Sequence, residues 1–157
     1  MLNTRKQIRL KSFDYKNDYS VYFVTICTAD KESYFSNKSV AKEMIDALMH
    51  RNKINEIRLY CYCLMPNHLH ILISLGSSYS KRLNNWIAAF KRYTSKIARD
   101  NFNINPLWQV NFYDHVIRKE ESLLDVAEYL LNNPVRKGFV KKWSDYPYSK
   151  LIDELPI

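Results

Sequence analysis

The sequence predicts a single α+β domain in which helices pack on an antiparallel β-sheet. Residues 57–64 and 68–75 have strand-like patterns and are separated by a turn at Pro66 and Asn67, so they predict a β-hairpin. Residues 39–49 instead place their apolar side chains at helical spacing, with charged side chains on the other face. We therefore expect a helix that covers one face of the sheet.

The remaining elements follow in chain order from the same patterns. Residues 20–28 are rich in β-branched and aromatic side chains and predict a buried central strand. Ser80 can cap a second long helix, and residues 108–118 predict another strand. A last helix begins near residue 123 and is expected to end at Pro134, because helical geometry is disfavoured for a residue that precedes proline.

The predicted domain spans residues 1–157, with a basic leader over about 1–18 and an aromatic-rich tail over about 139–157 that packs on the domain. The sequence has no run of eighteen apolar residues, which argues against a membrane span. The leader lacks the apolar stretch of a secretory signal, so we expect a cytoplasmic protein. An odd number of cysteines in strand-like stretches favours reduced, packed thiols over disulfides.

The composition points to a polyanionic partner. Lys and Arg number 24 and Asp and Glu number 16, which gives a formal net charge of +8. The chain also has 12 tyrosines, whose rings can stack on bases. A basic surface interleaved with aromatic side chains favours nucleic acid as the partner.

Two histidines on one predicted strand form half of a candidate metal site. In residues 68–75 every second side chain is Leu or Ile, so His68 and His70 lie together on the opposite face. Two imidazoles at this spacing are within reach of one divalent cation. The alternative is a pair of partly buried histidines that only make hydrogen bonds. A metal site needs a third ligand.

The last predicted helix offers that ligand and a nucleophile. Tyr129 and Asn133 are four residues apart, so they lie on one side of the helix, at the rim of its apolar stripe. If this side faces the histidines, the Asn133 amide oxygen can complete a site for Mg²⁺ or Mn²⁺. The Tyr129 hydroxyl can then attack a phosphate and form a phosphotyrosine. The general base is left open among Glu128, Asp114, His115 and a metal-bound water.

The second helix carries an apolar stripe and a set of cations. The stripe comprises Leu83, Trp86, Ile87, Phe90, Tyr93 and Ile97. The cations are Lys81, Arg82, Lys91, Arg92, Lys96 and Arg99. They are interpreted either as a solvated face or as a surface that follows DNA phosphates. Tyr93 is the main alternative nucleophile, but its place in the stripe favours core packing.

Three blocks of the sequence resemble the REP-associated tyrosine transposases, which are single-tyrosine HUH endonucleases. The first block is MPNHLH, in which His68 and His70 resemble the HUH motif. The second is WQVNFYDHVIR at 108–118, and the third is EYLLNNPVRKG at 128–138. The resemblance covers about residues 22–148.

The resemblance implies a ferredoxin-like antiparallel sheet with the histidine pair on a central strand. It further implies cleavage and rejoining of single-stranded DNA at hairpin sites in the bacterial nucleoid, through a 5′-phosphotyrosine. His68, His70 and Asn133 would be the metal ligands, and Tyr129 the nucleophile; related insertion-sequence transposases carry Gln in place of Asn133. The DNA contacts expected beyond the second helix are Arg118 and Arg136. The protein would be a monomer or a homodimer that exchanges the tyrosine helix.

Two other hypotheses are kept. Cys61 and Cys63 could hold a structural zinc ion with the two histidines across the hairpin, if both pairs share a face. Alternatively, the protein could bind hairpin DNA without cutting it.

Overall fold

A five-stranded sheet organises the chain. A computed structural model describes residues 20–117 and 123–153, so the predicted basic leader lies outside the described residues. The strands and helices in chain order are β1 (Val21–Thr28), α1 (Lys38–Lys53), β2 (Ile57–Met65), β3 (His68–Leu75), α2 (Leu83–Phe102), β4 (Trp108–Ile117), α3 (Leu123–Leu131), α4 (Asn133–Arg136) and β5 (Ser149–Leu151). Short 3-10 turns cover Ala29–Lys31, Tyr34–Ser36 and Trp143–Asp145.

The sheet has the predicted ferredoxin-like arrangement. Its strand order is β4-β1-β3-β2-β5, and every neighbouring pair is antiparallel. The order β1-α1-β2-β3-α2-β4 forms two interleaved units in which a helix connects strands that are not neighbours. The histidine strand, β3, is the middle strand, as predicted.

Helices pack on both faces of the sheet, and a separate apolar core forms on each face. One core packs α1 and α2 on side chains such as Ile26, Leu69 and Ile71. The other packs α3 on side chains such as Phe23 and Leu72. Because side chains alternate along a strand, β3 contributes Leu69 to the first core and turns His68 and His70 toward the side of α3.

Helix α2 differs from the predicted helix at two positions. Arg82, not Ser80, is the N-cap residue. Tyr93 was expected in the core, but the residue is 44 % exposed, and its ring centroid lies 4.6 Å from the Arg51 guanidinium carbon. Thr94, four residues after the buried Phe90, lies on the inner side instead, where the Trp108 Nε1–H donates to its hydroxyl at 2.8 Å.

The helix that carries Tyr129 ends before Pro134, and a second, short helix follows it. α3 stops at Leu131, and α4 begins at Asn133 with Pro134 in its first turn, where the absent N–H has no partner to lose. The predicted end of the helix at Pro134 is therefore confirmed to within three residues, but sequence reasoning missed the short helix α4 that begins at Asn133. Gly138 follows with φ of 76°, and its N–H donates to the carbonyl of Val135. The N–H of the next residue donates to the carbonyl of Pro134, which completes a Schellman cap.

The described part of the tail packs on the domain as predicted. The Tyr146 hydroxyl donates to the Leu64 carbonyl at 2.8 Å, and β5 pairs with β2 at the edge of the sheet. No helix in residues 20–117 and 123–153 is long and apolar enough to span a bilayer.

Two aromatic residues on α2 test this packing. We expect Phe90→Ala to lower the free energy of unfolding by about 3–5 kcal/mol, because Phe90 is buried between α2 and the sheet. Tyr93→Ala is the matched control and is expected to cost at most about 1 kcal/mol, the size of its contact with Arg51. Urea denaturation measures both. Equal losses would contradict the orientation of α2 described above.

Candidate active site

The two histidines lie side by side on the face of β3 that α3 covers. His68 is the first residue of β3, directly after the turn, and is paired with Met65 and Cys27 on the neighbouring strands. His70 is paired with Thr25 and Cys63. The ring centroids are 4.6 Å apart, so the predicted shared face is confirmed.

A hydrogen bond holds each imidazole by its Nδ1 atom. The Asn67 side-chain oxygen lies 2.7 Å from His68 Nδ1, and because that oxygen carries no proton, the ring donates. The Thr25 hydroxyl lies 2.7 Å from His70 Nδ1. Such bonds orient a ring and leave Nε2 as the candidate ligand atom. Sequence reasoning missed both partners, although Asn67 adjoins His68 in the chain.

Both histidines are neutral at neutral pH. Burial, followed by the nearby charge of Lys137, lowers the pKa of His68 to about 4. Burial, then the charges of His68 and Arg136, holds the pKa of His70 well below its usual value. Neutral rings keep a nitrogen lone pair available to a cation.

Asn133 reaches the same place from α4. Its side chain is 6 % exposed, and its Nδ2 atom donates to His68 Nε2 at 3.0 Å. The amide therefore lies beside the predicted ligand nitrogen, and its oxygen belongs to the same group. In this structure the amide presents its nitrogen to the imidazole, and a rotation of the amide by 180° would present its oxygen instead. Two imidazoles with one amide oxygen would then suit a divalent cation whose other positions are filled by phosphate or water oxygens.

Tyr129 faces the same cleft. Its side chain is 39 % exposed, and it lines a cleft of about 570 Å³ together with His68, His70 and Asn133. The guanidinium carbon of Arg136 lies 4.0 Å from its ring centroid, and an Arg136 N–H donates to its carbonyl at 2.7 Å. The predicted rim position is confirmed for Tyr129, whereas Asn133 is buried and belongs to the separate helix α4. All four residues come from one chain.

The structure contradicts the zinc hypothesis. Within the described residues there is no group of three or more His, Cys, Asp or Glu side chains that could hold a metal. Cys61 and Cys63 lie in the core beneath α3. Burial raises the pKa of both thiols to about 12, so they are protonated at neutral pH.

The predicted cations of α2 do not reach this cleft, because α2 packs on the other face of the sheet. Lys91 donates to the carbonyls of Gln109 and Val110 at 2.6 and 3.2 Å. Salt bridges to Asp100 engage two more of these cations, Lys96 and Arg99. A separate cleft of about 650 Å³ lies between α2 and β4. Four of the predicted cations line it: Lys91, Arg92, Lys96 and Arg99. Lys81 and Arg82 are exposed before the helix.

Other positively charged side chains surround the histidine cleft. Arg136 lies over Tyr129, and Lys31 and Lys137 line the cleft itself. Sequence reasoning did not single out either lysine. Of the remaining candidates, Arg118 and the side chains of Asp114 and His115 lie outside the residues that the structure describes.

Comparison with known proteins places the chain among transposases. A family model described as "Transposase IS200 like" matches residues 15–133. A Haemophilus influenzae protein named "Putative REP-associated tyrosine transposase" is 29 % identical, over 87 % of this chain and 84 % of its own length. An Escherichia coli REP-associated tyrosine transposase is 28 % identical over 56 % of this chain and 50 % of its own length. A solved REP-associated tyrosine transposase bound to a REP hairpin superposes with a TM-score of 0.70 at 20 % identity, covering 90 % of this chain and 82 % of that one.

Thiol labelling tests the packing of the cysteines. At pH 8 we expect iodoacetamide to leave Cys61 and Cys63 of the folded protein unmodified, because both thiols are buried and their pKa of about 12 keeps them protonated. Cys27 is only partly buried and should react slowly. In denaturant all three cysteines of the chain should react. Mass spectrometry of peptides counts the adducts, and rapid labelling of Cys61 or Cys63 in the folded state would refute this packing.

Proposed function

The chain belongs to the Transposase IS200-like family, and from this premise we propose that it cuts and rejoins single-stranded DNA at hairpin sites through a covalent bond to Tyr129. The observation that carries the proposal is that His68, His70, Asn133 and Tyr129 line one cleft. A metal-ligand set beside a nucleophile is the arrangement that phosphoryl transfer requires.

His68, His70 and Asn133 would hold Mg²⁺ or Mn²⁺. A bound ion supplies a Lewis acid that withdraws negative charge from the scissile phosphate. These ligands are all neutral, and the described residues that line the cleft include no Asp or Glu. The negative charge at the site therefore comes from the DNA, which favours binding of the cation and the phosphate together.

In the proposed reaction, the Tyr129 oxygen attacks the phosphorus atom and the bond from phosphorus to the 3′ oxygen breaks. The phenolic proton leaves to a base, and the 3′ oxygen takes up a proton, which gives a free 3′-hydroxyl and a 5′-phosphotyrosine. Rejoining is the reverse attack by a 3′-hydroxyl. Arg136 contributes by holding the ring, because it contacts both the ring face and the carbonyl of Tyr129. The choice of base stays open.

Hairpin DNA with a single-stranded extension is the proposed partner. The net charge of +8 suits a polyanion, and the relative with the superposed structure is bound to a REP hairpin. The exposed cations of α2 are candidates for further phosphate contacts. Since Tyr129 and the three candidate ligands line a cleft of one chain, we propose that a single subunit carries out the reaction.

Tyr129→Phe tests the nucleophile. We expect it to abolish cleavage of a hairpin oligonucleotide with Mg²⁺ or Mn²⁺, by at least about 1000-fold, and to leave hairpin binding intact, because only the hydroxyl is removed. Tyr93→Phe is the matched control and should cleave normally, since Tyr93 lies on the other side of the sheet. Mass spectrometry should find a nucleotide adduct on Tyr129 alone. A wild-type protein that binds the hairpin without any cleavage or adduct would support a non-catalytic binder instead.

The residues that orient the histidines test the metal ligands. We expect Asn67→Ala and Thr25→Val each to raise the Mn²⁺ concentration for half-maximal cleavage by about 10–100-fold, because each frees one imidazole. Asn85→Ala, on the exposed side of α2, serves as the control and should leave the Mn²⁺ requirement unchanged. An unchanged requirement in both test variants would argue against His68 and His70 as ligands.

A further inference from the structure

Two lysines are the only charged side chains among the described residues that line the histidine cleft. Lys31 comes from the 3-10 turn after β1, and Lys137 directly follows α4. Both residues are exposed, and no carboxylate of the described lining neutralises them. The reaction proposed for Tyr129 uses neither lysine.

Lys31 has an unusual backbone. Asp30 and Lys31 have φ angles of 52° and 55°, in the left-handed region that favours glycine. Lysine has no side-chain group that offsets the steric cost of this conformation. A strained residue at the mouth of a cleft suggests that its side chain has a function there.

The loop that carries Lys31 is bonded to the turn before His68. The N–H and the hydroxyl of Thr28 donate to the Asn67 carbonyl at 3.0 and 3.1 Å. The N–H of Phe35 donates to the Pro66 carbonyl at 3.0 Å. These bonds come from both ends of the loop, so the position of Lys31 is coupled to that of His68.

Lys137 is coupled in the same way to Asn133. Its N–H donates to the Asn133 carbonyl at 3.0 Å, and the positive φ of Gly138 turns the chain immediately afterwards. Lys137 and His68 line the same cleft. Beside Lys137, Phe139 lines the cleft with a side chain that is 52 % exposed and offers a face to an unpaired base.

We propose that Lys31 and Lys137 form a phosphate-binding subsite for the single-stranded DNA backbone next to the scissile phosphate. The inference rests on the proposed function and adds to it a site for the neighbouring nucleotide. An ammonium group binds a phosphodiester as a point charge without reading the base, so the subsite accepts any sequence.

The salt dependence of DNA binding tests the subsite. Two DNAs are compared in EDTA, a hairpin with a single-stranded extension and the same hairpin without it, and all proteins also carry Tyr129→Phe so that nothing is cleaved. Each lost phosphate contact with single-stranded DNA reduces the slope of log K against log salt by about 0.7. We therefore expect reductions of about 0.7 for Lys31→Ala and about 1.4 for the double variant with Lys137→Ala, on the extended hairpin only.

Three further variants separate charge from structure. Lys31→Gly should reduce the slope as much as Lys31→Ala, yet raise the melting temperature, because glycine accepts the positive φ without strain. Lys31→Arg should keep the slope. Lys53→Ala removes an exposed lysine from the end of α1 and is the control. It should leave the salt dependence of binding unchanged for both DNAs.

Two results would overturn the subsite: unchanged slopes with the extended hairpin, or equal reductions with both DNAs. A failure of the proposed function would give a different result. The protein with both lysines intact would then bind neither DNA, which would rule out a hairpin transposase of this kind. In that case the subsite is refuted with it.

Discussion

The register of β3 between β1 and β2 is the constraint on which the candidate site depends. Pairing with β1 places His68 opposite Cys27 and His70 opposite Thr25. A shift by one residue would turn Leu69 toward the cleft and the imidazoles into the core beneath α1 and α2. Since both faces of the sheet are packed, both cores oppose such a shift. The geometry of a polar site is thus set by apolar packing.

Local periodicity explains what could be predicted from the sequence. Alternation along β3 predicts the shared histidine face, and a separation of four residues predicts that Tyr129 and Asn133 project together. The first depends only on backbone geometry within β3. The second holds although Tyr129 lies in α3 and Asn133 in α4, because the turn between the two helices still brings both side chains to one cleft. The Thr25 bond to His70 joins residues 45 apart in sequence, so it requires the strand order and register as well. Lys31 was missed for the same reason, because its loop reaches the cleft through bonds to a distant turn.

The errors in the predicted helices share a cause. The residue pattern within one helix carries no information about the elements that pack against that helix or follow it. Tyr93 is apolar enough to extend the stripe of α2, yet the neighbouring Thr94 is the buried residue, because it bonds the Trp108 indole. The rule for the residue before a proline predicts the end of α3, but it does not predict that the chain restarts a helix immediately afterwards. That restart begins with Asn133, and it brings the amide to His68.

Lys91 bears on how the open edge of the sheet is protected. β4 is an edge strand, and its register against β1 shifts between Ile26 and Thr28. Val110 lies in this part of β4 and is 93 % exposed. Open edges of this kind are templates for intermolecular β-pairing and aggregation. The Lys91 ammonium occupies the carbonyls of Gln109 and Val110, so an incoming strand would have to displace a charge before it could extend the sheet. At the opposite edge, the three-residue length of β5 gives an incoming strand little to pair with.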